Sequence, residues 1–380
     1  MLQSLSFSYI CLATIQFMTE IRSNNYSVFI SNDIAKEINR FLKANKTKYS
    51  KLFILVDENS LKFCYPQLVE KIEAFEDGEI IEIDSGEQSK TLEVCIQIWS
   101  ALSEYGADRK SLFVNIGGGV IGDMGGFIAS TFKRGIDFIN IPTTLLSQVD
   151  ASIGGKVGVD LNHLKNEIGV FNNPAAVFIN SAFLNSLDKR QILSGFAEII
   201  KHALIADENY WRKVMNADFA DLNSFEELIK TSIHIKNTIV LEDPTEQNVR
   251  KVLNFGHTIG HAIETFSLEH ENKKHLLHGE AIAVGMVCEA YLSHKICKLS
   301  KDELKEITEF IIGKFKSVKL DELDFHRLIE LMQHDKKNEK GDINFSLLSE
   351  IGKCEINKKA KADQIIESLK YYTEQIKLMK

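Results

Sequence analysis

Residues 111–160, SLFVNIGGGVIGDMGGFIASTFKRGIDFINIPTTLLSQVDASIGGKVGVD, constrain this chain more than any other stretch. Residues 112–116 are an apolar run that stops at Gly117, Gly118 and Gly119, so a buried strand leaves a sheet through a turn where backbone can approach a ligand closely. Gly117, Gly119 and Gly122 satisfy G-x-G-x-x-G, and the apolar residues 124–132 supply a helix whose N-terminal amides would meet a pyrophosphate. A second strand, 137–141, runs into Pro142, Thr143 and Thr144, two hydroxyls that either face the glycine loop or cap a helix. Asp150 follows, then Gly154-Gly155-Lys156, a flexible turn presenting one ammonium. Glycines after a strand also make plain tight turns. Three ligand-competent turns in succession argue for a binding site.

The flanking sequence alternates apolar runs at 26–30, 52–56 and 78–83 with helical stretches at 33–43, 61–75 and 91–105. That alternation predicts a doubly wound parallel sheet. Such sheets bind ligands at the C-terminal edges of their strands, and Asp57, Glu87 and Lys90 stand just past strand ends. Asp57 suits either a nucleotide ribose or a helix cap. After a strand at 176–180 the pattern turns to a 3.6-residue apolar period, predicting helices at 191–205, 225–241, 249–266, 279–297 and 302–314. A domain boundary is expected at 183–186, giving an α/β unit over 19–184 and a helical unit over 185–380, with the lysine-rich tail a solvated face.

With 380 residues the chain has room for two sizeable cores, and 53 acidic residues against 45 Lys and Arg give nucleic acid no bulk electrostatic attraction. The six cysteines are scattered without C-x-x-C spacing, which suggests reduced thiols in a cytoplasm and no zinc ribbon. Residues 1–17 lack a basic n-region and a cleavage site and are too interrupted to span a bilayer, so residues 1–18 are expected to be a disordered extension ending at the functional start, Met18.

Chemistry-bearing residues recur in the helical half. In NFGHTIGHAIE, His257 and His261 stand four apart on one helical face; His278 opens HGEAIAVGM, and Glu198 lies in GFAEIIKH. Histidines with a carboxylate match the three-ligand set of a catalytic zinc. Spacing leaves open which histidines would bind. Lys201 follows Glu198 by one turn, Lys236 lies on the next helix, and Arg250 precedes Asn254 by one turn. Lys201 and Arg250 share helix faces with these residues, which favours a buried anion site over a solvated face.

Taken in order, GGGVIGD, KRG, IPTTLLSQVDASIGGK, GFAEIIKH, NFGHTIGHAIE and LHGEAIAVGM resemble the 3-dehydroquinate synthases, within the sugar-phosphate cyclase superfamily. The resemblance runs from about residue 26 to residue 352. It implies a Rossmann-like NAD domain, a helical metal-bearing domain and a homodimer. By resemblance the metal ligands, for zinc or cobalt, fall on Glu198, His257 and His278, and His261 becomes a substrate-contacting proton-transfer residue. The substrate contacts fall on Asp150, Lys156, Asn166, Lys201, Lys236, Arg250, Asn254 and Lys336 or Lys337, while Arg134 resembles an arginine that reaches the neighbouring subunit's site. NAD contacts fall on Asp57, Ser85, Gly86, Glu87, Gln88, Ser89, Lys90, Gly119, Val120, Ile121, Gly122, Asp123, Thr143, Thr144, Lys156, Lys165, Phe183, Leu184, Asn185 and Ser186. Ser186 stands where the family often has threonine, and Gln191 where it often has glutamate.

The implied activity is a phosphate-eliminating lyase reaction on 3-deoxy-D-arabino-heptulosonate 7-phosphate, in the shikimate pathway to aromatic amino acids. A ring hydroxyl is transiently oxidised, phosphate leaves, hydride returns, and ring opening with an aldol closure gives 3-dehydroquinate. Three other readings compete: a related cyclase making an inosose or a valiolone, a metal-dependent polyol dehydrogenase, and a non-catalytic nucleotide-binding regulator. The Lys156, Lys236, Arg250 and Asn166 set suits a substrate carrying a carboxylate. A dehydrogenase has no need of so many anion-binding side chains, and a regulator could lose the histidines and Glu198.

Overall fold

The computed structural model describes residues 18–161, 164–219, 225–269, 275–333 and 343–379. The extension expected at residues 1–17 and the lysines Lys336 and Lys337 lie outside them. The first half alternates as expected. Strands β1 (Thr19–Arg22), β2 (Ser27–Ile30), β3 (Leu52–Asp57), β4 (Glu79–Ile83), β5 (Leu112–Gly117), β6 (Asp137–Pro142) and β9 (Ala176–Ile179) form one sheet in the order β1-β2-β9-β6-β5-β3-β4. Every pairing is parallel except that of β1, an edge strand not anticipated from the sequence, with β2. Helices α1 (Ile34–Ala44), α2 (Glu58–Phe63), α3 (Tyr65–Val69), α4 (Leu92–Glu104) and α5 (Gly119–Thr131) cover it.

Alternate residues of the central strands feed two apolar layers. Phe53, Leu55, Phe113 and Phe138 pack with α4 and α5 on one face, and Ile54, Val56, Val114 and Ile139 pack with α1 and α3 on the other. This double burial explains why β3 and β5 read as unbroken apolar runs. The helix expected over 61–75 is instead two short helices and a 3-10 turn over Glu73–Phe75, with Pro66 at the start of α3, where a missing N–H costs nothing but a continuing helix cannot pass. Between β6 and β9 the chain makes an unexpected antiparallel hairpin, β7 (Lys156–Leu161) with β8 (Leu164–Phe171). It lies on α5, where Val157 fills the space above Gly126.

The second half contains α6 (Lys189–Ala206), α7 (Glu208–Met215), α8 (Phe225–Glu242), α9 (His257–Leu268), α10 (His278–Ile296), α11 (Lys301–Lys314), α12 (Phe325–Gln333) and α13 (Ala362–Leu378). Among the described residues its strands form one antiparallel hairpin, β10 (Ile343–Glu350) with β11 (Lys353–Ala360). Helical period alone does not detect this hairpin, because Ile343, Phe345, Leu347 and Leu348 contribute to the same apolar core as the helices. The tail expected as a solvated face is helix α13, which buries Ile365, Leu369, Tyr372 and Ile376 and leaves its lysines outside. The long helix expected over 249–266 is broken: a 3-10 turn over Val249–Asn254 ends before Gly256, whose φ of 81° is left-handed, and α9 begins at His257.

Candidate active site

The C-terminal edge of the parallel sheet gathers the turns singled out in the sequence. Helix α5 starts at Gly119 directly after β5, with Gly118 as its N-cap and no side chain in the cap, so its first amides are open to a ligand. A side chain at Gly118 would crowd Thr144, which places the Pro142-Thr143-Thr144 turn against the glycine turn. Thr144 Oγ1 accepts the Ser147 amide at 3.2 Å, so its hydroxyl also caps the short helical turn that follows. Asp57 takes its cap role as well: its Oδ1 accepts the Ser60 amide at 2.7 Å. Next to it, Glu58 accepts both the amide and the hydroxyl of Ser85 at 2.6 Å, which holds the turn through Gly86 (φ 107°), Glu87, Gln88 and Ser89. Lys90, buried, donates to Asp123 on α5 at 2.7 Å and to Asn166 on β8 at 2.6 Å. Val120, Ile121 and Gly122 lie in the first turn of α5; Phe183 and Leu184 are buried, and Ser186 Oγ donates to the Phe183 carbonyl at 2.8 Å, which leaves Asn185 between them on the turn after β9.

Across from this edge, three helices converge on Glu198. Its carboxylate is fully buried, and among the described residues Oε1 has no hydrogen-bond partner. That oxygen stands 3.5 Å from His257 Nε2 and 3.5 Å from His278 Nε2. These separations are too long for hydrogen bonds. They match the spacing of two ligands on one tetrahedral ion, about 3.4 Å for bonds of about 2.0–2.1 Å. Both rings are oriented from behind: His257 Nδ1 lies 3.1 Å from the Phe255 carbonyl and His278 Nδ1 lies 3.1 Å from Glu264 Oε2, so each Nε2 points inward. An orphaned buried carboxylate oxygen and two imidazoles held from their far sides fit a divalent cation. His261 also comes within ligand reach of His257 and His278.

Local structure delivers these atoms. Helix α9 has no cap of its own; Glu289, buried in α10, accepts the Gly256 amide at 2.6 Å and the Ile259 amide at 3.0 Å and so fixes the turn that carries His257. The start of α10 is tied to α6 by Arg190, which grips Glu280 at 2.7 and 2.6 Å, and by the Gly279 amide on Ser194 Oγ at 3.0 Å. Burial is the largest influence on His257 and pushes its pKa down to about 3, so it is a neutral imidazole. Burial acts the same way on His278, but Glu264 and Glu198 overcome it and raise the pKa to about 10.

A polar cluster adjoins this centre. Lys201, buried, ion-pairs with Glu198 and lies 3.6 Å from Asp150 Oδ1; Lys236 donates to the same oxygen at 2.8 Å and to the Asp150 carbonyl at 2.6 Å. Asp150 sits in a π-helical turn over Ser147–Ala151, an irregularity common at functional sites. Its carboxyl stays well below its usual range because Lys236 and Lys201 outweigh burial. Lys156 pairs with Glu246, and Asn254 donates to the other oxygen of that carboxylate at 2.7 Å. Arg250 is buried as expected, with its guanidinium on the carbonyls of Pro244 (2.6 Å) and Gly154 (3.0 Å). Arg134 lies apart, exposed, with φ of 72° in a turn whose neighbours Lys133 and Gly135 are also left-handed.

Four residues enter this site that the sequence reading did not name. Glu264 stands three residues after His261, continuing the polar stripe of α9, and Glu289 is a lone acid in an apolar run; both were visible signals. His202 follows Lys201 and is buried with Nδ1 2.5 Å from Ser232 Oγ. Glu246, in a loop at φ 60°, carried no signal.

Two family models match in succession, 3-dehydroquinate synthase N-terminal over residues 80–194 and 3-dehydroquinate synthase C-terminal over residues 195–338. The 3-dehydroquinate synthase of Parabacteroides distasonis is 48% identical over 349 residues, covering 91% of this chain and 98% of the relative. That of Thermoanaerobacter pseudethanolicus is 37% identical over 356 residues, covering 92% and 98%. Among solved structures, 2-deoxy-scyllo-inosose synthase complexed with carbaglucose-6-phosphate, NAD+ and Co2+ superposes with a TM-score of 0.81 at 23% identity, over 93% of this chain and 99% of the other. An iron-containing alcohol dehydrogenase superposes at 0.66 and 13%, over 94% and 99%. These two likenesses are of fold. The paired family models and relatives matched over almost their whole length establish that the chain belongs to the 3-dehydroquinate synthase family.

Proposed function

We propose that the protein converts 3-deoxy-D-arabino-heptulosonate 7-phosphate to 3-dehydroquinate and phosphate, with NAD as a retained catalyst and a divalent cation at Glu198, His257 and His278. The observation that carries this reading is the juxtaposition of a cation-spaced cluster with a Lys201–Asp150–Lys236 array, between the sheet edge and the helices. When bound, NAD supplies reversible hydride exchange and the cation supplies Lewis acidity. The side chains do the rest. Lys156, Lys236, Arg250, Asn254 and Asn166 hold the substrate's carboxylate and phosphate in one pose, a positioning role more than acid–base work. Asp150, kept ionised by its lysines, accepts hydrogen bonds from substrate hydroxyls. His261 moves a proton at the reacting ring oxygens, and the departing phosphate takes the C–H proton. Asp57, Lys90, Asp123, Thr144, Lys165 and the α5 amides line the nucleotide crevice, Arg134 completes the site of a second copy in a homodimer, and the chain divides at 184/185 into a nucleotide unit and a cation unit.

A cytoplasmic enzyme is the fitting setting: Cys64, Cys95, Cys288, Cys297 and Cys354 are free thiols, and no helix among the described residues is long and apolar enough to cross a membrane.

The test is phosphate release from the heptulosonate phosphate by purified protein with NAD and zinc, while absorbance follows NADH. Phosphate without accumulating NADH, abolished by a chelator, is the expected result. Accumulating NADH without phosphate would make it a dehydrogenase, and silence would point to another sugar phosphate.

A further inference from the structure

Glu264 is outside both the ligand set and the nucleotide contacts argued above, yet it touches both. It is a nearly fully buried carboxylate on α9, seven residues after His257. Its Oε2 takes His278 Nδ1 at 3.1 Å, and its Oε1 takes Lys165 Nζ at 2.5 Å. Lys165 comes from β8 of the hairpin on the other side of the cleft, and its ammonium also lies 3.2 Å from Glu87 Oε1 in the turn after β4. Glu87, Lys165, Glu264 and His278 thus form one line of alternating partners from the sheet edge to the cation cluster.

A carboxylate on the far nitrogen of a ligating imidazole fixes its tautomer and strengthens its donor atom. A cation on the carboxylate's other oxygen competes for that charge. We propose that Glu264 is a positioning residue for His278 whose grip is set by Lys165, so that filling the nucleotide crevice and binding a divalent cation at Glu198, His257 and His278 are thermodynamically coupled. This rests on the ligand set and on the assignment of Lys165 to the nucleotide side. A dinucleotide's pyrophosphate draws Lys165 toward the crevice, and Glu264 then gives its charge to His278 alone. The nucleotide tightens the cation, and by linkage the cation tightens the nucleotide by the same factor.

The experiment uses the full chain stripped of metal, with zinc affinity read by competition against a chromophoric chelator, with and without saturating NAD. In the wild-type protein NAD should tighten zinc by about 5-fold or more. Lys165→Met should bind zinc without NAD as tightly as wild type does with it. Glu264→Gln, nearly isosteric, should weaken zinc by about 10- to 100-fold. Zinc affinity of Glu264→Gln within about twofold of wild type would overturn the proposal, as would Lys165→Met resembling wild type without NAD. Lys165 is a partly exposed strand residue, so its variant carries the test if Glu264→Gln fails to fold. Failure of the underlying readings looks different: His257→Ala binding zinc like wild type would remove the ligand set, and absence of NAD binding to wild type would remove the nucleotide side.

Discussion

Glu198 and Lys201 hold charge at almost complete burial, with the half-buried Asp150 beside them, a state that survives only when each charge has a partner. The roles assigned to the histidines separate under substitution. His257→Ala should lose zinc by elemental analysis, because it removes an imidazole 3.5 Å from the orphaned Glu198 oxygen. His261→Ala should retain zinc and lose turnover by about 100- to 10,000-fold, the usual worth of a proton-transfer group. If both variants keep zinc, the ligand assignment is wrong. His278 adds a proton count. With its pKa raised to about 10 it is charged at neutral pH in the cation-free protein, so cation binding must expel a proton. Calorimetry in buffers of different ionisation enthalpy should register that release. Lys236 behaves in the opposite sense: burial, the largest influence, lowers its pKa to about 8, so it is charged at neutral pH and loses its charge as pH rises through about 8. Substrate KM should therefore rise several-fold above that pH, and the rise should be absent in Lys236→Met. Since the unfolded chain keeps the ordinary, higher lysine value, stability at this position grows with pH between about 8 and that value.

The crossing of α9 and α10 sets the distance between the two proposed histidine ligands, each the first residue of its helix. Glycine makes the crossing close. A side chain at Gly285 would run into the Gly256 carbonyl and come within 2.7 Å of the Gly260 amide nitrogen, and one at Gly260 would meet Ile282. Gly285→Ala must push the helices apart, and overpacking of this kind costs about 1–3 kcal/mol. Chemical denaturation should show that loss, and chelator competition should show weaker zinc binding. A variant with wild-type stability would mean that the crossing yields without strain. Glu289 explains why α9 starts where it does. The cap comes from the neighbouring helix, so a reading of local sequence continued the helix back through Gly256; at Pro66 the break is local, yet the helix expected over 61–75 ran through it.

For the whole molecule, the cleft is the junction of the parallel sheet's C-terminal edge with the helical half, bridged by the hairpin that carries Lys156, Lys165 and Asn166. Arg134 stands outside this cleft on its left-handed turn. If it completes a second copy's site, Arg134→Ala and His257→Ala should each be nearly inactive alone, and mixed subunits should recover activity through hybrid dimers that keep one complete site. No recovery on verified subunit exchange would place Arg134 outside the catalytic site.

By itself the sequence determined the parallel sheet, the glycine turn before α5 and the identity of most charged residues in the cleft, because these depend on period, on backbone freedom and on residue types that act over a few positions. Glu198 and His278 lie 80 residues apart, and their shared geometry rests on Arg190, Ser194 and the glycine crossing. The tertiary structure alone decided that Glu289 caps α9, that Glu246 answers Lys156 and Asn254, and that Glu264 stands between His278 and Lys165. The reason is physical: a buried charge is stabilised by whichever partner packing brings within hydrogen-bond reach, and that partner has no fixed spacing in the chain.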